Sequence, residues 1–149
     1  MHHDPRFRLD FRLTHREAQV EIIARAVARS GVWLSHRGEA IVALMGKAAD
    51  AVRGIHAGTV TEAEARAVSD EIDAACPAES SPDEWFAADV ASLAIDFAIG
   101  GEMEDAMYAL NSALIGAFDR GGPVPEAEEM LAQVKDLHDL ASKSAEGAL

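Results

Sequence analysis

The sequence predicts a single all-α domain, an irregular bundle of five to six helices. Three observations carry that expectation. Helix start and stop signals recur along the whole chain. Aromatic residues are only 5% of the 149, so alanine and aliphatic side chains must build the core, which suits close-packed helices better than sheets. No segment reads as a clear strand; the best candidate, "GVWLS" (Gly31 to Ser35), is expected as a loop whose Trp33 plugs one end of the bundle.

The elements follow in order. Residues 1–13 are expected as an irregular arm in which Phe7, Leu9, Phe11 and Leu13 alternate with Arg8, Asp10 and Arg12. The helical domain covers residues 14–143. Its first helix opens at "THRE", with Thr14 as N-cap and Glu17 completing a capping box. Val20, Ile23 and Val27 recur at helical spacing, and "RSG" (Arg29 to Gly31) is expected to end the helix. A second helix runs from about Ser35–Glu39 to Gly58 along Ile41, Leu44, Met45, Ala48, Val52 and Ile55. Gly46 and Gly54 lie inside it, which calls for the close approach of another backbone, since each costs roughly 1 kcal/mol relative to Ala.

The third helix opens at Thr61 and Glu64 of "TEAE", another capping box, and closes before Pro77. After the "PAESSP" loop, Ser81 caps the fourth, Pro82 sits at N1 and Glu84 at N3. Gly100 and Gly101 end it. The fifth spans about Glu102 to Phe118, stopped by "RGG". The sixth begins around Pro125, with Glu126, Glu128 and Glu129 facing its dipole. Residues 144–149 are expected as a flexible tail, having few apolar anchors.

Bulk composition narrows the function classes. A 149-residue chain buries roughly 70% of its unfolded surface and needs no staple. Cys76 is the one cysteine, so no disulfide forms within the chain, as suits a reducing compartment. It precedes a proline at a helix end, the wrong end of the dipole for a reactive thiolate, and reads as structural. The N-terminus lacks a secretory apolar region and no apolar run approaches the roughly 20 residues that span a bilayer. A cytoplasmic location with no membrane contact is expected.

The net charge is −13. Residues 1–37 carry seven Arg against four acids, a net +3; the remainder carries six Lys or Arg against 22 acids, a net −16. Such a surface repels phosphate backbones, which argues against nucleic acid, and it speeds encounter with a basic protein.

Chemistry-bearing residues are few. Asp89 and Asp96 lie two turns apart on one face of the fourth predicted helix, with Ser92 between them and Trp85 and Ile99 continuing the row. Phe86, Val90, Leu93 and Phe97 form the opposite, core face. On the fifth, Tyr108, Asn111 and Ser112 make a polar stripe beside Met103, Ala106, Met107, Leu110, Leu114 and Phe118. Two readings stand: a ligand cleft lined by Asp89, Ser92, Asp96, Tyr108 and Asn111, or solvated helix faces. No E-x-x-H, H-x-x-x-H or H-E-x-x-H spacing occurs, so no metal and no cofactor are expected. His2 and His3 are read as terminal, and His15, His36, His56 and His138 are scattered. Neither a phosphate loop nor a nucleophile elbow is present.

The segments "ARAVARS", "PAESSPDEW", "ADVASLAIDFAI" and "EDAMYALNSAL" make about half of the chain similar to the YjaG-like family of small bacterial helical proteins of unknown function. The resemblance implies an all-helical cytosolic protein and assigns no catalytic residue.

Two function classes are therefore carried. The first is a non-enzymatic acidic interaction protein, such as an immunity- or antitoxin-like factor that binds a basic protein partner. The alternative is a small-ligand binder or enzyme using the polar cleft between the fourth and fifth predicted helices. The half-apolar, half-basic arm also predicts a homodimer.

Overall fold

The computed structural model describes the backbone of residues 3–76 and 82–147, with the side chains of all of these except 83 and 142–147. The N-terminal arm is not irregular. The Asp4 carboxylate accepts a hydrogen bond from the Arg6 amide at 2.7 Å and Pro5 takes the first helical position, so a helix, α1, covers Pro5–Arg12. The alternating pattern holds two i,i+4 pairs. Phe7 and Phe11 are buried, while Leu9 and Leu13 are 55% and 74% exposed.

Helix α2 spans Arg16–Trp33 and so runs through its expected stop at Arg29 to Gly31. The expected capping box does not form. His15 occupies the N-cap with no side-chain bond, and the Thr14 hydroxyl instead donates to the Asp10 carbonyl at 2.7 Å, closing α1. Gly31 does not stop the helix because its backbone is already helical and its missing side chain serves packing. A Cβ there would lie 2.7 Å from the Cβ of Met45. Trp33 accordingly ends α2, and Ser35–Arg37 form a single 3-10 turn.

Gly38, at φ +114°, then opens α3, Glu39–Ala57, and Gly58, at φ +79°, closes it in the left-handed conformation. Of the two interior glycines, only Gly54 is crowded, by Thr59 and Val60 of the returning loop. Nothing approaches Gly46 within 4 Å, so the expected backbone contact is absent there. Helix α4, Glu62–Ala75, has the expected capping box, with Thr61 and Glu64 exchanging bonds of 3.1 Å. Helix α5 begins at Pro82 and ends at Gly100; the expected cap Ser81 and the loop from Pro77 lie outside the described residues. Helix α6 covers Met103–Gly121, and α7 runs from Pro123 to Gly147, through the first residues of the expected tail.

The described residues thus hold seven α-helices and no strand, one helix more than expected because of α1. Helices α2 and α3 pair, α5 and α6 pair, and α5 packs against α2, α3, α4 and α6. Helix α5 buries a wide face: Ala87, Val90, Ala91, Ala94, Ile95 and Phe97 are fully enclosed. Its alanines and those of α6 (Ala106, Ala109, Ala113 and Ala117) are buried, so small side chains fill the space between the two helices. Trp33 does plug one end. Its ring lies over Gly116 of α6, where a Cβ would come within 2.6 Å of it and 2.9 Å of the Phe86 Cβ. At the other end Phe7, Phe11 and Phe97 form an aromatic row, each step 6.4 Å between ring centres. Burying a side chain of Phe97's size contributes about 2–3 kcal/mol.

Two outer helices flank this core. Helix α4 packs on α3 and α5, whereas α7 packs on α2 and α6.

Candidate functional site

Four arginines of the first third, Arg16, Arg25, Arg29 and Arg37, bind groups of the chain itself. Arg16 lies over the Phe97 ring, its guanidinium carbon 4.1 Å from the centroid, and donates to the Phe97 carbonyl at 2.8 Å. It thereby caps the C-terminus of α5, where a cation is favoured. Arg29 Nε donates to both oxygens of Glu129 at 2.9 and 2.8 Å, and its Nη1 donates to Asp136 at 2.7 Å. Arg25 joins Asp136 at 3.0 Å to Glu21 at 3.3 Å, and Arg53 reaches Glu21 at 2.8 Å. One chain of charges therefore runs from α7 across α2 to α3. Arg37 pairs with Glu84 at 2.6 Å.

The acids divide differently. Residues 62–105 contain 13 acids and a single base, Arg66, a net of −12 out of the chain's −13. The other 105 residues hold the remaining 13 acids against 12 bases. Nearly the whole net charge thus belongs to the stretch of sequence from the start of α4 to the first turn of α6. Arg66 donates to Asp96 at 2.9 Å and lies 3.6 Å from Glu62. Asp89 is exposed, yet partial desolvation, followed by the charge of Asp73 on α4, raises its carboxyl above the usual aspartate range. Desolvation, then Asp96, Glu102 and Glu104, raises that of Asp105. Desolvation is the larger cause of both shifts, and neighbouring acids add to it.

A groove of about 370 Å³ opens between α3 and α4. Ala51, Val60, Ala67 and Val68 supply its apolar surface; Lys47, Asp50, Glu64 and Glu71 supply its charges. Lys47 lies 3.5 Å from Glu71, both about half exposed, a weak pair that an incoming cation can replace. An apolar floor with an acidic rim suits a side chain having an aliphatic stem and a positive head.

The five residues expected to line a cleft have different neighbours. Asp89 faces Asp73 and Asp96 pairs with Arg66, both on α4. Ser92 is half-buried. Tyr108 is 53% exposed; its hydroxyl bonds to Glu104, which raises its pKa, while Arg8 of α1 acts weakly in the other direction. The Asn111 side-chain oxygen is buried with no hydrogen-bond partner.

Sequence reasoning missed His3. It is buried, stacks on Phe7 with ring centres 4.5 Å apart, and meets Gln133 Oε1 through Nε2 at 2.6 Å. Gln133 Nε2 donates to the Leu110 carbonyl at 3.0 Å, so Oε1 is the acceptor and His3 Nε2 carries the proton. A position 130 residues from its partner leaves no local signal.

Two smaller grooves lie elsewhere. One, of about 320 Å³, has Cys76, Arg37 and Glu84 in its lining. The other, of about 230 Å³, lies among Arg29, Val32, Trp33, Arg120, Pro125, Glu128 and Glu129. Among the described residues no group of three or more His, Cys, Asp or Glu side chains is arranged to hold a metal ion. No helix among them is long and apolar enough to cross a membrane. No protein-family model, curated protein or solved structure matches the chain.

Proposed function

We propose that this protein is a non-enzymatic interaction module that receives a basic protein partner on its α4 flank, as an immunity- or antitoxin-like factor in the cytoplasm does. The observation that carries the reading is the concentration of 13 acids and one base in residues 62–105, beside a groove with an apolar floor. Each part has a role. Asp50, Glu64 and Glu71 on the groove rim steer and hold cationic side chains, while Ala51, Val60, Ala67 and Val68 accept the aliphatic part. Asp89, beside Asp73, and Asp105, beside Asp96, Glu102 and Glu104, extend the attractive field, since a bound cation relieves repulsion within each group.

A second reading, a small-ligand binder or enzyme using Asp89, Ser92, Asp96, Tyr108 and Asn111, is favoured by one observation. The buried Asn111 oxygen lacks a donor that a ligand would supply.

Salt separates the two. Affinity capture of partners on immobilised protein is compared at about 50 and about 500 mM salt. Loss of the captured basic protein at high salt, and with Glu64→Lys combined with Glu71→Lys, supports the interaction module. Binding that ignores both changes supports the second reading.

A further inference from the structure

Helix α7 packs one face on the core and leaves an apolar row on the other. Inward, Glu129, Gln133, Asp136 and Leu137 are buried against α2 and α6. Outward, Val124 is 65% exposed, Leu131 68% and Val134 45%, with Ala127 exposed between them. Val124 and Leu131 are seven residues apart, as are Ala127 and Val134, and the steps between are three and four. That is the a/d spacing of a coiled-coil seam. An isolated helix of this fold gains nothing from an apolar seam facing water.

We infer that this seam is covered by a second copy of the same chain, with the two α7 helices antiparallel about a two-fold axis beside Leu131. The charges beside the seam choose both the occupant and the direction. Glu128 and Lys135 flank it on one side, seven residues apart, and both are exposed. Neither makes an ion pair among the described residues. In a parallel pair the two flanks of the seam face each other, so Glu128 and Lys135 meet Pro123 and Met130 of the other copy and find no opposite charge. In an antiparallel pair with its axis midway between residues 128 and 135, Glu128 of each copy faces Lys135 of the other, twice over. Leu131 then meets its own counterpart at the axis, and Val134 packs towards Ala127 across the seam. Val32 lines a groove with Glu128 and Pro125 and widens the apolar area at one end.

The contact is modest. The seam from Val124 to Val134 is about 15 Å long at 1.5 Å per residue, so the dimer belongs with small interfaces of micromolar affinity. It uses a different flank from the acidic α4 surface, so a dimer presents two such surfaces. The N-terminal arm, by contrast, spends Phe7 and Phe11 inside its own chain.

Analytical ultracentrifugation of the full chain over about 1–300 µM tests this. The expected result is a concentration-dependent rise from 15.9 kDa towards twice that mass. Leu131→Glu, at a position too exposed to disturb folding, holds the protein at 15.9 kDa with an unchanged circular dichroism spectrum. Glu128→Lys and Lys135→Glu each weaken the dimer roughly tenfold, and the double swap restores it. A monomer at every concentration overturns the inference. So does a dimer indifferent to Leu131→Glu, or a double swap no better than the single ones, which points to another face or another partner.

Discussion

Arg29 on α2 grips Glu129 on α7 through one nitrogen, with Nε 2.9 and 2.8 Å from the two carboxylate oxygens. Glu129 is almost wholly buried, and burial raises its carboxyl while Arg29 holds it down. Arg29→Met leaves that carboxylate buried and unpaired, with an expected loss of about 3 kcal/mol at neutral pH. The loss depends on pH. A carboxyl whose folded pKa is raised penalises the native state above that pKa and ceases to do so as pH falls towards the ordinary glutamate value. Without Arg29 the raised value moves higher still. Urea denaturation should therefore show the variant recovering part of its loss as pH falls from neutral towards the ordinary glutamate value. A deficit constant across that range contradicts the account.

The two helix-interior glycines Gly116 and Gly46 should respond oppositely to alanine. At Gly116 a Cβ runs into Trp33 and the Phe86 Cβ, so Gly116→Ala should cost about 1–3 kcal/mol. At Gly46 there is open space within an α-helix, so Gly46→Ala should add about 0.5–1 kcal/mol. Thermal or chemical denaturation of the pair reads both signs.

Asp89 and Asp96 should also behave differently. Asp89 is raised by desolvation and by Asp73, so at neutral pH Asp89→Asn should be more stable than the parent. The gain should shrink as pH falls through the raised pKa to the ordinary aspartate value, where the parent's carboxyl is protonated as well. Asp96 has a partner, Arg66. Asp96→Asn should lower stability at low salt and do so less at high salt. Denaturation midpoints on both axes check this.

The His3–Gln133 contact holds α1 down together with Phe7 and Phe11. Gln133 is fully buried, and Gln133→Ala leaves a cavity and removes the acceptor for His3, with an expected cost of about 2 kcal/mol. Limited proteolysis should then cut within residues 3–13 faster than in the parent, while α5 and α6 stay protected.

Local chemistry made most helix borders legible. Thr61 and Glu64 act within four residues of each other, and Pro82 and Gly58 restrict or free their own backbones. Where a signal had two meanings, the wrong one was readable too. Gly31 looks like a stop, but it admits Met45 from the next helix. Phe7, Leu9, Phe11 and Leu13 alternate, but Phe7 and Phe11 also stand one helical turn apart, and Asp4 with Pro5 decides for the helix. For the candidate site, the acidity was plain from the residues. The pairing of Asp96 with Arg66, 30 residues away, and of Arg29 with Glu129, 100 away, depends on how helices cross. That crossing decides which cations are spent internally and which acids are left for a partner.

The acidic α4 flank is the centre of the functional reading, and calorimetric titration with a basic amphipathic helical peptide tests it most directly. Two variants with equal charge change are compared: Glu64→Lys with Glu71→Lys on the groove rim, and Asp119→Lys with Asp139→Lys on α6 and α7. The account predicts that the rim variant loses binding at least roughly tenfold while the α6 and α7 variant keeps the parent's affinity. Equal losses in both would mean that the peptide reads net charge alone, and would contradict a partner site on α4.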